Sequence, residues 1–291
     1  MLGAGLILFL AVLQGATELF PVSSLGHAVV VPPLLHINFR ESNPAFVPVL
    51  TVLHLGTATA LIVLYRHQWW AIVRGFVRAA VRGRVKDPDE RLAMMLVIGT
   101  IPTAVVGFFF LTPLTSLFGN PRASAAFLIV NGGILLGAEL FRRRDERAHA
   151  TEDAGAVRHT LDDPSYVGVE GLSLRAALIV GACQIAALFP GISRSGVTMA
   201  AGLMAGLRHQ EAARFTFLLA TPIIFAAGAV EVPTLGSDGP TAGLAVGAAA
   251  LAGVVAYVSA RFLLRYLRSG RLDPFAYYCA ALGVAGLLLL R

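Results

Sequence analysis

Residues Gln14 to His27 read QGATELFPVSSLGH, and residues Gln184 to Thr198 read QIAALFPGISRSGVT. Each stretch places Leu-Phe-Pro (Leu19, Phe20, Pro21; Leu188, Phe189, Pro190) at the end of an apolar run. Small polar residues and a glycine follow, and then a second apolar run. The first copy carries Glu18, Ser23, Ser24 and His27; the second carries Ser193, Arg194, Ser195 and Thr198. Proline cannot continue a helix and pushes the residue before it out of the helical region. Each copy therefore predicts two short helices joined by a polar turn. An acid, hydroxyls and an imidazole on one side, with a guanidinium and hydroxyls on the other, predict an anion-handling site split between two halves of the chain.

Outward from these stretches, the composition sets the class. Of the 291 residues, 56% are hydrophobic and 14% charged, against about 25% charged in soluble domains. The chain reads as an integral membrane protein. Cys183 and Cys279 lie in apolar runs without metal or disulfide spacing, and read as small buried hydrophobes. The net charge of +6 raises nucleic acid as a partner. The basic residues cluster between apolar runs, however, so they read as cytoplasmic loop charge and no nucleic acid is expected.

Leu2–Glu18 is at the short limit for a membrane span. It lacks the basic start of a signal peptide and is read as retained. Full spans are expected over Phe46–Tyr65, Leu92–Leu111, Ala123–Phe141, Phe215–Val230, Thr241–Leu264 and Pro274–Leu290. The expected fold is an all-α polytopic membrane protein, a single domain over 1–291. It has about six transmembrane helices plus two re-entrant helical hairpins, at 2–35 and 174–207. Segments 66–91 and 142–173 are expected as cytoplasmic loops. That orientation gathers most of the 23 Lys and Arg residues on one side and leaves Arg40, Arg122 and Arg291 on the other, as the positive-inside rule requires. The hairpins then enter from opposite sides, which makes an inverted repeat whose tips meet near the midplane.

An ionisable residue inside a span is costly and marks function by default. Glu18 and Arg194 are the deepest two, and a structural ion pair is their plainer reading. Ser23, Ser24, Ser193 and Ser195 precede helix starts, where serine commonly caps. Two capped N-termini aimed at one point also present N–H groups and positive dipole ends to an anion, and Arg194 adds a bidentate clamp for phosphate. His27 follows Ser24 by three residues, which predicts a shared helix face and an imidazole able to take the serine proton. His54 reads as a buried histidine satisfied by a neighbouring hydroxyl. Gln184 and Thr198 read as supports.

At these residues the chain resembles the undecaprenyl-diphosphatase family, the bacitracin-resistance phosphatases of the bacterial envelope. The resemblance rests on Gln14-Gly15-Ala16-Thr17-Glu18, on PVSSLGH from Pro21 to His27, and on PGISRSGVT from Pro190 to Thr198. The span layout agrees over the whole chain. One departure is Gln14, where members of the family can carry a second carboxylate. The resemblance implies hydrolysis of undecaprenyl pyrophosphate to undecaprenyl phosphate and phosphate in the plasma membrane. The orientation above puts the Ser24 and His27 half on the outer side, so the site is expected to open to the outer, periplasmic side. The resemblance also implies a divalent cation, Mg2+ or Ca2+, held by Glu18 and Gln14. It implies Ser24 as nucleophile, His27 as its base or as acid to the leaving group, and Ser23, Ser193, Arg194, Ser195 and Thr198 as binders of the pyrophosphate. Serine, histidine and water stay open as the attacking group, and a homodimer stays open as the assembly. A lipid-phosphate carrier or flippase would need the same anion site without a reactive Ser24–His27 pair. A purely structural role would leave Glu18 and Arg194 unexplained. Phosphatases built on a lysine-rich motif do not fit a chain whose one lysine is Lys86.

Overall fold

The structure, a computed structural model, describes residues 3–37, 45–115, 120–152, 167–231, 241–268 and 270–290. Arg40 and Arg291, the 232–240 connection and most of the far half of the 142–173 segment lie outside the described residues. The described chain is helical: α1 (Ala4–Thr17), α2 (Ser24–Leu34), α3 (Phe46–Leu64), α4 (Arg66–Arg82), α5 (Pro88–Thr115), α6 (Pro121–Glu152), α7 (Leu174–Cys183), α8 (Arg194–Met204), α9 (His209–Glu231), α10 (Ala242–Tyr266) and α11 (Asp273–Leu289). Among the described residues, α3, α5, α6, α9 and α10 contain segments long and apolar enough to cross a membrane. The last expected span, α11, is 17 residues long and packs against α6.

Both hairpins form where the prolines place them. Helix α1 ends at Thr17 and α2 begins at Ser24, with Pro21 in the turn between them. At 14 and 11 residues, the two arms reach about 21 and 16 Å, short of the roughly 30 Å hydrocarbon core. The second hairpin repeats the pattern: α7, then a 3-10 segment at Gln184–Leu188, then Pro190 in the turn, then α8. The tighter 3-10 winding is common where a helix ends.

The two hairpins are packed alike. Helix α1 lies against α10 as α7 lies against α5. Both contacts are close because a glycine faces backbone. A Cβ on Gly15 would fall 2.5 Å from the Ala252 carbonyl oxygen, and one on Gly181 would fall 2.1 Å from that of Gly99. Helix α10 offers the buried stripe Ala248, Ala252, Ala256, Ala260, spaced by four along one face. Small residues there let neighbouring backbones approach, which is how helices associate where apolar burial gives no advantage over lipid.

Three boundaries differ from the sequence expectation. The basic stretch after Tyr65, expected as a loop between spans, contains a helix of its own: Arg66–Arg82 is α4, closed by Gly83 in the left-handed conformation (φ 66°). Its arginines alternate with apolar residues at helical spacing, a pattern of surface helices. Helix α6 continues beyond Phe141 through Arg142–Arg144 to Glu152, because arginine and glutamate are good helix formers. Helix α9 starts at His209, not Phe215. The buried Glu139 of α6 ties this end together, accepting from the Leu272 N–H at 3.1 Å and contacting His209 Nε2 at 3.0 Å.

Candidate active site

The two tips are built alike. Ser23 Oγ accepts the Gly26 N–H (3.2 Å), and Ser193 Oγ accepts the Gly196 N–H (3.0 Å), so each serine caps the helix that follows it. Each turn contains one residue with positive φ, Ser23 at 67° and Gly191 at 102°. For Ser23 that conformation is strained, and such strain is held only where the surroundings over-determine it. Cross-links do so here. Ser195 Oγ donates to the Phe20 carbonyl (2.8 Å). Asn131 of α6 joins both turns: its Nδ2 donates to the Pro21 carbonyl (2.9 Å) and its Oδ1 accepts the Ser193 N–H (2.9 Å).

Glu18, one residue past the end of α1, is the centre of the site. Its Oε1 pairs with Arg194 of the opposite hairpin. Its Oε2 accepts from Ser24 Oγ at 2.5 Å and Gln14 Nε2 at 2.8 Å, and faces His54 Nε2 at 3.2 Å. The carboxylate is nearly fully buried, with 5% of its side chain exposed, while Arg194 and His54 keep 21% and 24%. A buried charge is tolerated when paired and hydrogen-bonded, and both oxygens of Glu18 are. His54 is fixed from behind, its Nδ1–H donating to the Leu50 carbonyl (2.7 Å). With both nitrogens facing oxygen acceptors, the ring makes both contacts as donor when doubly protonated.

A cavity of about 210 Å³ opens against this cluster. Glu18, Ser23, Ser24, His54, Ser193 and Arg194 line it, together with Gln184 and apolar residues such as Leu25, Leu50, Leu188 and Ile223. The N-termini of α2 and α8 therefore border one cavity, the arrangement that favours anions. Of the residues expected at the site, Glu18, Ser23, Ser24, Ser193 and Arg194 are brought to the cavity. Gln14, His27, Ser195 and Thr198 stand behind it. Thr198 Oγ1 donates to the Arg194 carbonyl (2.7 Å) and Ser195 is spent on the opposite turn, so both hold Arg194 and the tips in place.

The expected Ser24–His27 pair does not form. The His27 Nδ1–H donates to the Ser23 carbonyl (2.6 Å) and Nε2 accepts from the Tyr278 hydroxyl (2.8 Å), with the two rings stacked at 5.5 Å. Neither nitrogen is left for Ser24: one is satisfied by the turn and the other by α11. The imidazole at the cavity is His54, which sequence reasoning had set aside. Its depth in the α3 span was the signal that could have raised it. Asn131 was missed altogether, although an amide inside an apolar helix carries the same message.

The oxygen donors can be matched against a divalent cation. Among the described residues, no cluster of three or more His, Cys, Asp or Glu forms a metal cage. Glu18 is one carboxylate, and Gln14 Oε1 beside it is buried without a partner. Gln184 Oε1, on the cavity wall, is equally orphaned. A hard cation such as Mg2+ typically takes one or two carboxylates and completes its shell with substrate phosphates and water. This donor set fits that partial role and not a closed protein site.

A helical membrane body whose opposed hairpins bring a carboxylate–hydroxyl pair, a guanidinium and two helix N-termini to one cavity defines an intramembrane anion-handling protein. The chain belongs to the bacitracin resistance protein BacA family, whose profile matches residues 7–285. It is 44% identical to an undecaprenyl-diphosphatase of Acidiphilium cryptum over 96% of this chain and 95% of that protein. It is 43% identical to an undecaprenyl-diphosphatase of Mycolicibacterium paratuberculosis, over 95% and 94% of the two chains. It is 39% identical to undecaprenyl-diphosphatase 2 of Chromobacterium violaceum, over 97% and 96%.

Proposed function

We propose that this protein is an integral membrane phosphatase that cleaves undecaprenyl pyrophosphate to undecaprenyl phosphate and inorganic phosphate. It thereby returns the lipid carrier to cell-wall synthesis and confers bacitracin resistance. The observation that carries the reading is the 2.5 Å hydrogen bond from Ser24 Oγ to Glu18 Oε2 at the wall of an arginine-bearing cavity. A hydroxyl donating to a buried carboxylate is a nucleophile beside its base. Full-length similarity to undecaprenyl-diphosphatases supplies the substrate.

In this mechanism the pyrophosphate lies between the N-termini of α2 and α8. Arg194 keeps one nitrogen on Glu18 and turns its other donors to the phosphate oxygens. Ser24 Oγ attacks the terminal phosphorus and its proton passes to Glu18. The Oγ–P bond forms as the bridging P–O bond breaks, releasing undecaprenyl phosphate. Water then attacks the phosphoserine, phosphate departs, and Oγ regains a proton. His54, in place of His27, is the imidazole positioned to protonate the departing oxygen. Arg194 and the two capped N-termini stabilise the charge that builds on the equatorial oxygens. Mg2+ or Ca2+, held by Glu18 and Gln14, would supply further charge neutralisation when bound. The apolar side of the cavity leads the lipid tail out between helices. The protein works in the bacterial plasma membrane with the cavity open to the outer side, a placement supported by the clustering of basic residues at the opposite end.

The test is phosphate release from undecaprenyl pyrophosphate by purified protein in detergent, for wild type and Ser24→Ala, with and without a chelator. Release that needs a divalent cation and is lost in Ser24→Ala is expected. Lipid binding without release, across a range of cations, would overturn the enzyme and leave a lipid-phosphate carrier.

A further inference from the structure

At the end of the bundle that gathers most of the basic residues, a groove of about 700 Å³ runs between α10, the last residue of α3 and the first turn of α9. Val258, Arg261, Phe262 and Arg265 of α10 line it, with Arg268 just past the helix end and with Leu64 and Gln210 from the other two helices. The α10 positions advance by three and four residues, so they share one helix face. Apolar Val258 and Phe262 come first, 63% and 61% exposed, and the guanidiniums follow towards the helix end.

Among the described residues, these three arginines lack the acidic partners that several others at this end have. Other arginines at this end are matched: Arg271 with Glu139 and Glu146, Arg143 with Asp273, Arg214 with Glu170 and Glu211, Arg78 and Arg82 with Glu90. Among the described residues Arg265 and Arg268 have no acidic partner, and Arg261 has only the face of Tyr257, 5.8 Å from its guanidinium. Three cations without acidic partners above an exposed apolar wall, at the mouth of a membrane-spanning helix, match one kind of molecule in both charge and polarity. That molecule has an anionic phosphate head and a hydrocarbon tail. The N-terminus of α9, at Gln210, adds positive dipole to the same spot.

We propose that this groove is a binding site for an anionic glycerophospholipid of the surrounding bilayer. The lipid phosphate sits among Arg261, Arg265 and Arg268, and an acyl chain lies along Val258 and Phe262. The Phe262 ring also touches Phe20 of the first turn, at 6.2 Å between centroids. A lipid held there therefore braces the hairpin that carries Glu18 and Ser24. The site is separate from the catalytic cavity and does not depend on the phosphatase reading.

The experiment is thermal melting and native mass spectrometry of the full chain in detergent, with phosphatidylglycerol, phosphatidylcholine or inorganic phosphate added. Phosphatidylglycerol is expected to raise the melting temperature and to remain as a one-to-one adduct, whereas the other two are not. In the triple variant Arg261→Gln/Arg265→Gln/Arg268→Gln the affinity for phosphatidylglycerol should fall on the order of 100-fold, at about tenfold or less per arginine near a membrane surface. Arg74→Gln/Arg84→Gln, which removes charge outside the groove, should keep it. If the triple variant does not survive purification, Val258→Trp, which fills the groove and keeps the arginines, should displace the adduct. Equal stabilisation by phosphatidylcholine, an effect of inorganic phosphate alone, or unchanged adduct in the groove variants would each overturn the proposal.

Discussion

His54 Nε2 lies 3.2 Å from Glu18 Oε2: the imidazole that reaches the buried acid comes from α3, outside both hairpins. It faces the same oxygen that accepts the Ser24 hydroxyl, so hydroxyl, acid and imidazole meet at one atom. His27, inside the first motif, is turned to Tyr278.

This geometry separates the two histidines experimentally. His54→Gln removes a proton-transfer group from the cavity and should lower kcat on the order of 10²-fold or more, with little change in KM or melting temperature. His27→Phe keeps a ring against Tyr278 but removes the Nε2 acceptor of that hydroxyl and the imidazole donor to the Ser23 carbonyl, which keeps only the bond from the residue-27 N–H. It should cost roughly 1–3 kcal/mol of stability while the folded fraction keeps its kcat. Steady-state kinetics and thermal melts in detergent, run side by side, check both. The reverse pattern would return the catalytic role to His27.

Arg194 pairs with Glu18 across the hairpins and borders the cavity. Lysine preserves the charge but not the planar fork that can hold Glu18 and a phosphate together. Arg194→Lys should therefore fold and bind substrate weakly, with kcat/KM reduced on the order of 10²- to 10³-fold. Arg194→Ala should in addition lower the melting temperature, because it leaves Glu18 buried with one cation fewer. An Arg194→Lys enzyme with near-normal kcat/KM would limit the arginine to a structural ion pair.

How far this site was legible in the sequence depends on the residue. Glu18, Ser24 and Arg194 stand beside prolines that break apolar runs, and a charge in such a place has few structural explanations. Their meeting follows from the repeat itself. His27 was misplaced because a spacing of three predicts a shared face only for side chains that both follow the helix surface. Ser24 is the first helical residue and turns towards Glu18, whereas His27 bonds back to the Ser23 carbonyl, four residues earlier. His54 carried the right residue type, but a single histidine in a long apolar helix does not say which way it faces. The helical character of 66–82 was hidden by its charge, although its arginines recur at helical spacing. The five long spans were plain because hydropathy over about 20 residues has few competing readings.

Asn131 bonds to one turn through each end of its amide, Nδ2 to Pro21 and Oδ1 to Ser193, and is fully buried. Asn131→Asp keeps the shape and the acceptor but loses the donor, setting a carboxylate against the Pro21 carbonyl. Each buried group left unpaired costs about 1–3 kcal/mol, and the turn it releases carries the strained Ser23. The expected result is a lower melting temperature together with a raised KM, because the N-termino of α2 and α8 would no longer be held on one cavity. A loss of stability with KM unchanged would show that the turns keep their alignment without this amide.

Gly181 tests the packing of the second hairpin through its backbone. A Cβ at this position would lie 2.1 Å from the Gly99 carbonyl oxygen, a backbone atom that cannot step aside as a side chain can. Gly181→Ala must therefore push α7 off α5, and overpacking of this kind costs roughly 1–3 kcal/mol or more. The displacement should travel along the short α7 arm to the turn that carries Arg194, since the arm is rigid helix and 3-10 winding with little slack. Loss of stability and of activity should appear together, unlike the selective loss expected for His54→Gln. Gly133→Ala, on α6 where a Cβ meets nothing within 4 Å, should leave both unchanged and serves as the control. If Gly181→Ala were as stable and active as Gly133→Ala, the close α5–α7 contact would not be what positions the second hairpin.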